Sequence, residues 1–244
     1  VRSSWLSREA AAAIALFAAG AGYILLVGKD SSGVGRTLLA LATSLLAWLV
    51  LVCTAMIYAS LKPIRQWHTG WTPANYVLLG HWSGAMLLCA LACAYAPKTA
   101  SFFVLAGVLG LAALAAKLAY WRAIGEASQA PTLERAIGVK EGVRGPGPAT
   151  VAQARLLAVG HSHGTFLTRE FGFLVARRHA RALRGAALGL AFALPLAWLV
   201  TGVARWQVAL AAAACCIIGL LIERWLFFAE AKHTVRLYHG DPRT

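Results

Sequence analysis

The chain holds 244 residues, 59% of them hydrophobic and 13% charged, with a mean hydropathy of +0.66. Soluble domains carry roughly 45–50% apolar and about 25% charged residues, and disorder needs low hydrophobicity, so both classes are excluded. A net charge of +14 then belongs to Lys- and Arg-rich loops at a membrane face rather than to a nucleic-acid surface.

Six runs are long and apolar enough to span a bilayer, over 9–28, 36–60, 74–96, 98–120, 183–204 and 207–229. They are continuous Ala/Leu/Val stretches without the alternation of a barrel strand, so the predicted fold is all-α: a polytopic transmembrane helical bundle forming a single membrane domain over 1–244. Pro97 and Lys98 separate the third and fourth runs, and Arg205 and Trp206 the last two, so each pair reads as a tight hairpin. Gly80, Gly84, Gly107 and Gly110 read as close-packing positions between helices. Cys53, Cys89, Cys93, Cys215 and Cys216 lie inside apolar stretches with no CxxC pair, and read as small buried hydrophobes. Nothing near Val1 resembles a signal peptide.

The connections are unequal. The side holding the N-terminus, side one, also holds 61–73, 121–182 and 230–244 and, with Arg184 counted with the long loop, carries 17 of the 23 Lys and Arg against 4 on side two. Without the long loop the bias is still 7 to 4, which predicts that side one, with the long loop and both chain ends, is cytoplasmic. The long loop begins with a turn-rich half ending at Gly142-Val-Arg-Gly-Pro-Gly-Pro148. Its second half, Thr165 to Arg181, reads as a basic amphipathic helix. Arg169, Arg177, Arg178 and Arg181 on it are candidates for lipid-headgroup contact or for docking a partner subunit.

Polar residues in the spans crowd one leaflet. Glu9 opens the first run, Tyr58 ends the second, His81 lies about two turns into the third and Lys117 ends the fourth, while Glu223 and Arg224 lie roughly 10 Å from the side-one end of the sixth. His68, Trp67, Trp71 and Pro73 border the third. Glu223 and Arg224 are sequence neighbours on different faces, so each is expected to find its own partner or to snorkel outward. Ionisable groups in lipid are expensive and usually functional. A carboxylate and an imidazole beside apolar walls suit a quinone, whose ring oxygens need hydrogen-bond partners and whose redox chemistry moves protons. Glu9, His81, Tyr58 and Arg224 are the candidate quinone-binding residues. A haem is not expected, because only His81 is clearly inside a span, and His161-Ser-His163 alone is a weak metal signal. No phosphate-binding loop is present in a strand–helix context. The alternative is a transporter or proton-conducting protein, for which Pro195 supplies a mid-span breaker but no matched polar site.

Arg2-Ser-Ser-Trp-Leu-Ser-Arg-Glu9, Met56-Ile-Tyr-Ala-Ser-Leu-Lys62, Trp67-His68, Trp71-Thr-Pro73, Thr168-Arg-Glu-Phe-Gly-Phe173 and Ala176-Arg-Arg-His-Ala180 together resemble the membrane-anchor subunit of the dimethyl sulfoxide reductase family. The resemblance runs over most of the chain. It implies a molybdopterin catalytic subunit and an iron–sulfur subunit as partners, which hold those cofactors, with no sulfur-substrate centre in this chain. It also implies exchange of electrons with menaquinone or ubiquinone in a bacterial inner membrane. The family pattern has eight spans, of which this chain resembles the last six, and Glu9 matches the family carboxylate. Cytoplasmic quinone-coupled sulfite dehydrogenases use a similar anchor. A basic, cytoplasmic docking side favours that relationship over dimethyl sulfoxide reduction.

Overall fold

The computed structural model describes residues 4–29, 33–96, 98–126, 176 and 178–231. Among them six helices are long and apolar enough to cross a membrane. In chain order they are α1 (Trp5–Gly28), α2 (Val34–Ala59), α3 (Trp71–Tyr95), α4 (Ala100–Glu126), α5 (Ala180–Thr201) and α6 (Trp206–Ala229). The all-helical bundle is what a bilayer demands: without water, every backbone N–H and C=O must bond within its own segment.

The helix ends depart from the runs in instructive ways. α3 begins at Trp71 rather than 74, because Pro73 falls in the first turn, where its missing N–H has no intrahelical acceptor to lose. Thr72 fixes that turn by donating to the Trp67 carbonyl at 2.7 Å. α4 runs past 120 to Glu126, with Tyr120 and Ile124 buried in an aromatic cluster that includes Phe227. α1 starts at Trp5, so Glu9 lies one turn inside the helix instead of opening it. α5 stops at Thr201 because Gly202 turns left-handed, at φ +65°, a conformation that favours glycine.

α1 packs on α2, α2 on α3, and α6 lies against both α3 and α5, with α4 beside α3 and the far half of α5. α1 and α2 bury little beyond Ala12, Cys53 and Ala55. Their large apolar side chains, such as Ile14 and Phe17, face outward, as a lipid solvent allows.

The core centres on Trp82, fully buried among α3, α4 and α5. Its position follows from Pro195. A mid-helix proline supplies no N–H and crowds the carbonyl four residues back, that of Ala191. The chain responds with a π-turn over Gly189–Ala193, and Trp82 Nε1 donates to the Ala191 carbonyl at 2.9 Å. Gly219 on α6 faces the same turn, and a Cβ there would collide with the Ala191 backbone. Of the four glycines read as packing positions, Gly110 is one, since a Cβ would come within 2.8 Å of the Trp82 ring, and Gly80 another, at 3.1 Å from Leu51. Gly84 and Gly107 meet nothing within 4 Å.

Candidate functional site

Side one of the bundle holds a network of charges inside the helices. Lys117 on α4 and Glu223 on α6 are each 1% exposed and form an ion pair. Lys117 lies about 13 Å from the side-one end of α4 at ~1.5 Å per residue, so it ends no span but sits well within one. Arg224 completes the group. Its Nε donates to Glu223 Oε2 at 2.6 Å and its Nη2 to Oε1 at 3.0 Å. This corrects the expectation of separate partners or outward snorkelling: the guanidinium reaches back along its own helix to Glu223 and also meets Tyr76 of α3, while Lys117 reaches Glu223 from α4. A third cation, Arg184 at the start of α5, pairs with Glu230 at 2.8 Å and lies over the Trp121 ring.

Rings enclose these charges. Lys117 Nζ sits 4.3 Å from the Tyr120 ring centre and 4.9 Å from that of Trp121. The Arg224 guanidinium lies 4.4 Å from the Tyr76 ring and 4.8 Å from the Phe227 ring. Tyr76 in turn stacks on Tyr58 at 5.8 Å, and Tyr58 meets Trp67, Phe227 and Phe228 edge-on. Trp67 belongs to the short connection between α2 and α3. Its Nε1 donates to the Phe227 carbonyl at 3.0 Å, which pulls that connection down over the end of α6. Cations against aromatic faces are worth more where water is excluded, so the cluster offsets part of the cost of burying charge.

Of the four residues read as quinone-binding, Tyr58 and Arg224 share this cluster through Tyr76, and Glu9 and His81 lie elsewhere. Glu9, half-buried between α1 and α2, accepts a 2.5 Å hydrogen bond from Thr54, whose hydroxyl also lies 2.9 Å from the Val50 carbonyl. His81 is exposed on the outer face of α3, with Nδ1 2.7 Å from the Val77 carbonyl. It lines an apolar groove of about 330 Å³ with Trp48, Leu51, Gly84, Leu105 and Leu109. Among the docking candidates, Arg178 and Arg181 are exposed where the chain enters α5, beside His179. Arg169, Arg177 and most of the basic stretch lie outside the described residues, as does His161-Ser-His163. No group of three or more His, Cys, Asp and Glu suited to a metal occurs among the described residues.

Sequence reasoning missed the roles of Lys117 and Tyr76. One signal was available for the first. Lys117 and Glu223 are opposite charges within apolar spans at similar depth, and intramembrane charges pair with one another. Tyr76 looks like an ordinary member of an apolar run until α6 is laid beside it.

Six membrane-crossing helices and an ionic cluster confined to one leaflet define a multi-pass helical membrane protein with a specialised face. The DMSO reductase anchor subunit (DmsC) family matches residues 1–229, and the chain belongs to that family. It is 35% identical to a sulfite dehydrogenase subunit of Allochromatium vinosum, over 98% of this chain and 74% of that protein. No solved structure matches it. Membership of an anchor-subunit family carries with it catalytic partner subunits in a complex.

Proposed function

We propose that this chain holds an iron–sulfur subunit and a molybdopterin subunit on the cytoplasmic face of a bacterial inner membrane, and passes electrons between their clusters and quinone bound in the side-one leaflet. The observation that carries the reading is that, among the described residues, the buried charges gather in that leaflet, with Lys117, Glu223 and Arg224 under a lid of tyrosine and tryptophan. A ring with two oxygens needs flat apolar walls and hydrogen-bonding groups together, and this cluster offers both. The name of the relative from Allochromatium vinosum supports sulfite as the electron donor in preference to dimethyl sulfoxide as the acceptor. In that direction sulfite oxidation in the partner releases two electrons, and quinone with two protons becomes quinol here.

The exposed Arg178 and Arg181 at the head of α5 support a cytoplasmic docking face, continued by Arg169 and Arg177 in sequence. Glu9, on α1 apart from this cluster, is proposed as a carboxylate on the proton path to the ring, and His81 as a group near the apolar tail. The test is purification of the complex through a tag on this chain. Molybdenum and iron–sulfur proteins should accompany it, and sulfite should drive reduction of a soluble quinone analogue. A chain that purifies alone from membranes where its gene neighbours are expressed refutes the anchor reading. An intact complex that reduces dyes but no quinone refutes the quinone reading.

A further inference from the structure

Glu9 and Thr54 meet near the side-one ends of α1 and α2. Glu9 is the fifth residue of α1 and Thr54 the sixth from the end of α2, so both lie roughly 6–8 Å inside their helices at ~1.5 Å per residue. Ala12, the buried residue of α1, follows Glu9 by one turn, and Cys53 and Ala55, the buried residues of α2, flank Thr54. This level is where the otherwise lipid-facing pair of helices is most enclosed.

Thr54 Oγ1 lies 2.5 Å from Glu9 Oε1 and 2.9 Å from the Val50 carbonyl. Both are acceptors when the carboxyl is ionised, and a hydroxyl has one proton to give. The Val50 carbonyl can do without it, because α2 already supplies the backbone N–H of Thr54. An ionised carboxylate away from bulk water cannot, so the hydroxyl then donates to Glu9. When Oε1 carries a proton the roles reverse. The carboxyl O–H donates to Thr54 Oγ1, and the threonine proton turns to the Val50 carbonyl, as helical threonines allow. Both charge states of Glu9 are thus hydrogen-bonded with every heavy atom in one place.

We propose that Thr54 is the positioning residue of Glu9, its O–H rotating between the carboxylate and the Val50 carbonyl as Glu9 releases and takes up a proton bound for the quinone. The proposal rests on the reading of Glu9 above and adds the group that lets this carboxyl change charge without moving. A proton from side-one water binds Glu9 Oε1 and leaves for a ring oxygen. It is one of the two protons that accompany two electrons from the partner's clusters. Thr54 keeps its own proton throughout and is neither acid nor base. A dipole already in place for both states leaves little to reorganise during the transfer.

The test uses the intact complex and two assays: sulfite-driven reduction of a short-chain quinone, and reduction of a dye that bypasses it. Thr54→Val keeps the shape and removes the hydroxyl. It should lower quinone-coupled turnover roughly tenfold, the worth of one hydrogen bond to a charged group, and leave dye-linked turnover unchanged. Thr54→Ser keeps a hydroxyl that can bond back to residue 50 and should restore turnover to within about twofold of wild type. Because Thr54 acts only through Glu9, Thr54→Val added to Glu9→Gln should slow quinone reduction no further. Redox-induced infrared difference spectra give a second readout. The carboxyl C=O band that Glu9→Gln removes should move to higher wavenumber in Thr54→Val, where the carboxyl loses its partner, and return in Thr54→Ser. Should Thr54→Val fail to assemble, Thr54→Ala replaces it in each comparison. Wild-type quinone turnover with an unmoved band in the variant lacking the hydroxyl overturns the proposal. A loss that adds to that of Glu9→Gln, or that the dye assay shares equally, also overturns it and marks Thr54 as a packing residue. Wild-type quinone turnover in Glu9→Gln, with no band removed, refutes instead the reading of Glu9 on which the proposal rests.

Discussion

A carboxylate one helical turn inside a span is a different chemical object from one at its mouth. Glu9 was legible as a carboxylate near side one, but its depth was not, because the start of α1 depends on backbone that the apolar run does not include. Inside the helix it has Thr54 as partner, so its charge is held by a neighbour and not by water alone. Glu9→Gln keeps the size and the bond from Thr54 while removing the exchangeable charge. Quinone-coupled turnover should fall about 100-fold, the range for losing an acid–base group, with dye-linked turnover unchanged. Parallel assays of one purified complex check this, and equal losses in both would instead mark Glu9 as an assembly residue. Lys117 poses the opposite case. Lys117→Met leaves Glu223 buried with Arg224 as its remaining ion-pair partner, and should cost about 3 kcal/mol, the lower end for breaking a buried pair. Thermal unfolding in detergent reads this, and Lys117→Met with Glu223→Gln should recover part of it.

Among the elements, α5 shows what a hydropathy pattern conveys and what it hides. Its apolar length and its proline are plain in the sequence. The π-turn is not, because it is a response to a carbonyl that loses its own helix donor and gains one from Trp82, more than 100 residues away in sequence. Trp82→Phe should strand that carbonyl and lower stability by about 1–3 kcal/mol. In a Pro195→Ala background an N–H returns at position 195, so the same change should cost less. A double-mutant cycle by thermal unfolding decides, and an additive result would deny the coupling of indole and proline. The ends of α3 and α4 teach the same point more mildly. Tyr120 and Ile124 carry α4 beyond its apolar run because the aromatic cluster around Phe227 gives them a place to bury.

For the whole molecule, the bilayer made the architecture readable. Six apolar runs became six helices because nothing else satisfies their backbones in lipid, whereas their pairing order emerged only with α6 placed against α3 and α5. Orientation rests on the Lys and Arg bias, and reporter fusions inserted in the 127–175 segment and after residue 240 check it. A reporter that works only when exported should be silent at both sites, and activity at both would reverse the topology and with it the preference for sulfite. The Lys117–Glu223 pair also sets a clock on biosynthesis. Its partners are 106 residues apart, so a ribosome adding about 5–20 residues per second emits Lys117 some 5–20 s before Glu223 exists. During that interval α4 must wait with an unmatched ammonium, a group that membrane insertion penalises by about 2.5–3.5 kcal/mol at mid-helix. The nascent chain therefore passes through a stage in which its fourth helix is the weakest lodger in the bilayer, and any truncation before α6 leaves it there, open to extraction and proteolysis.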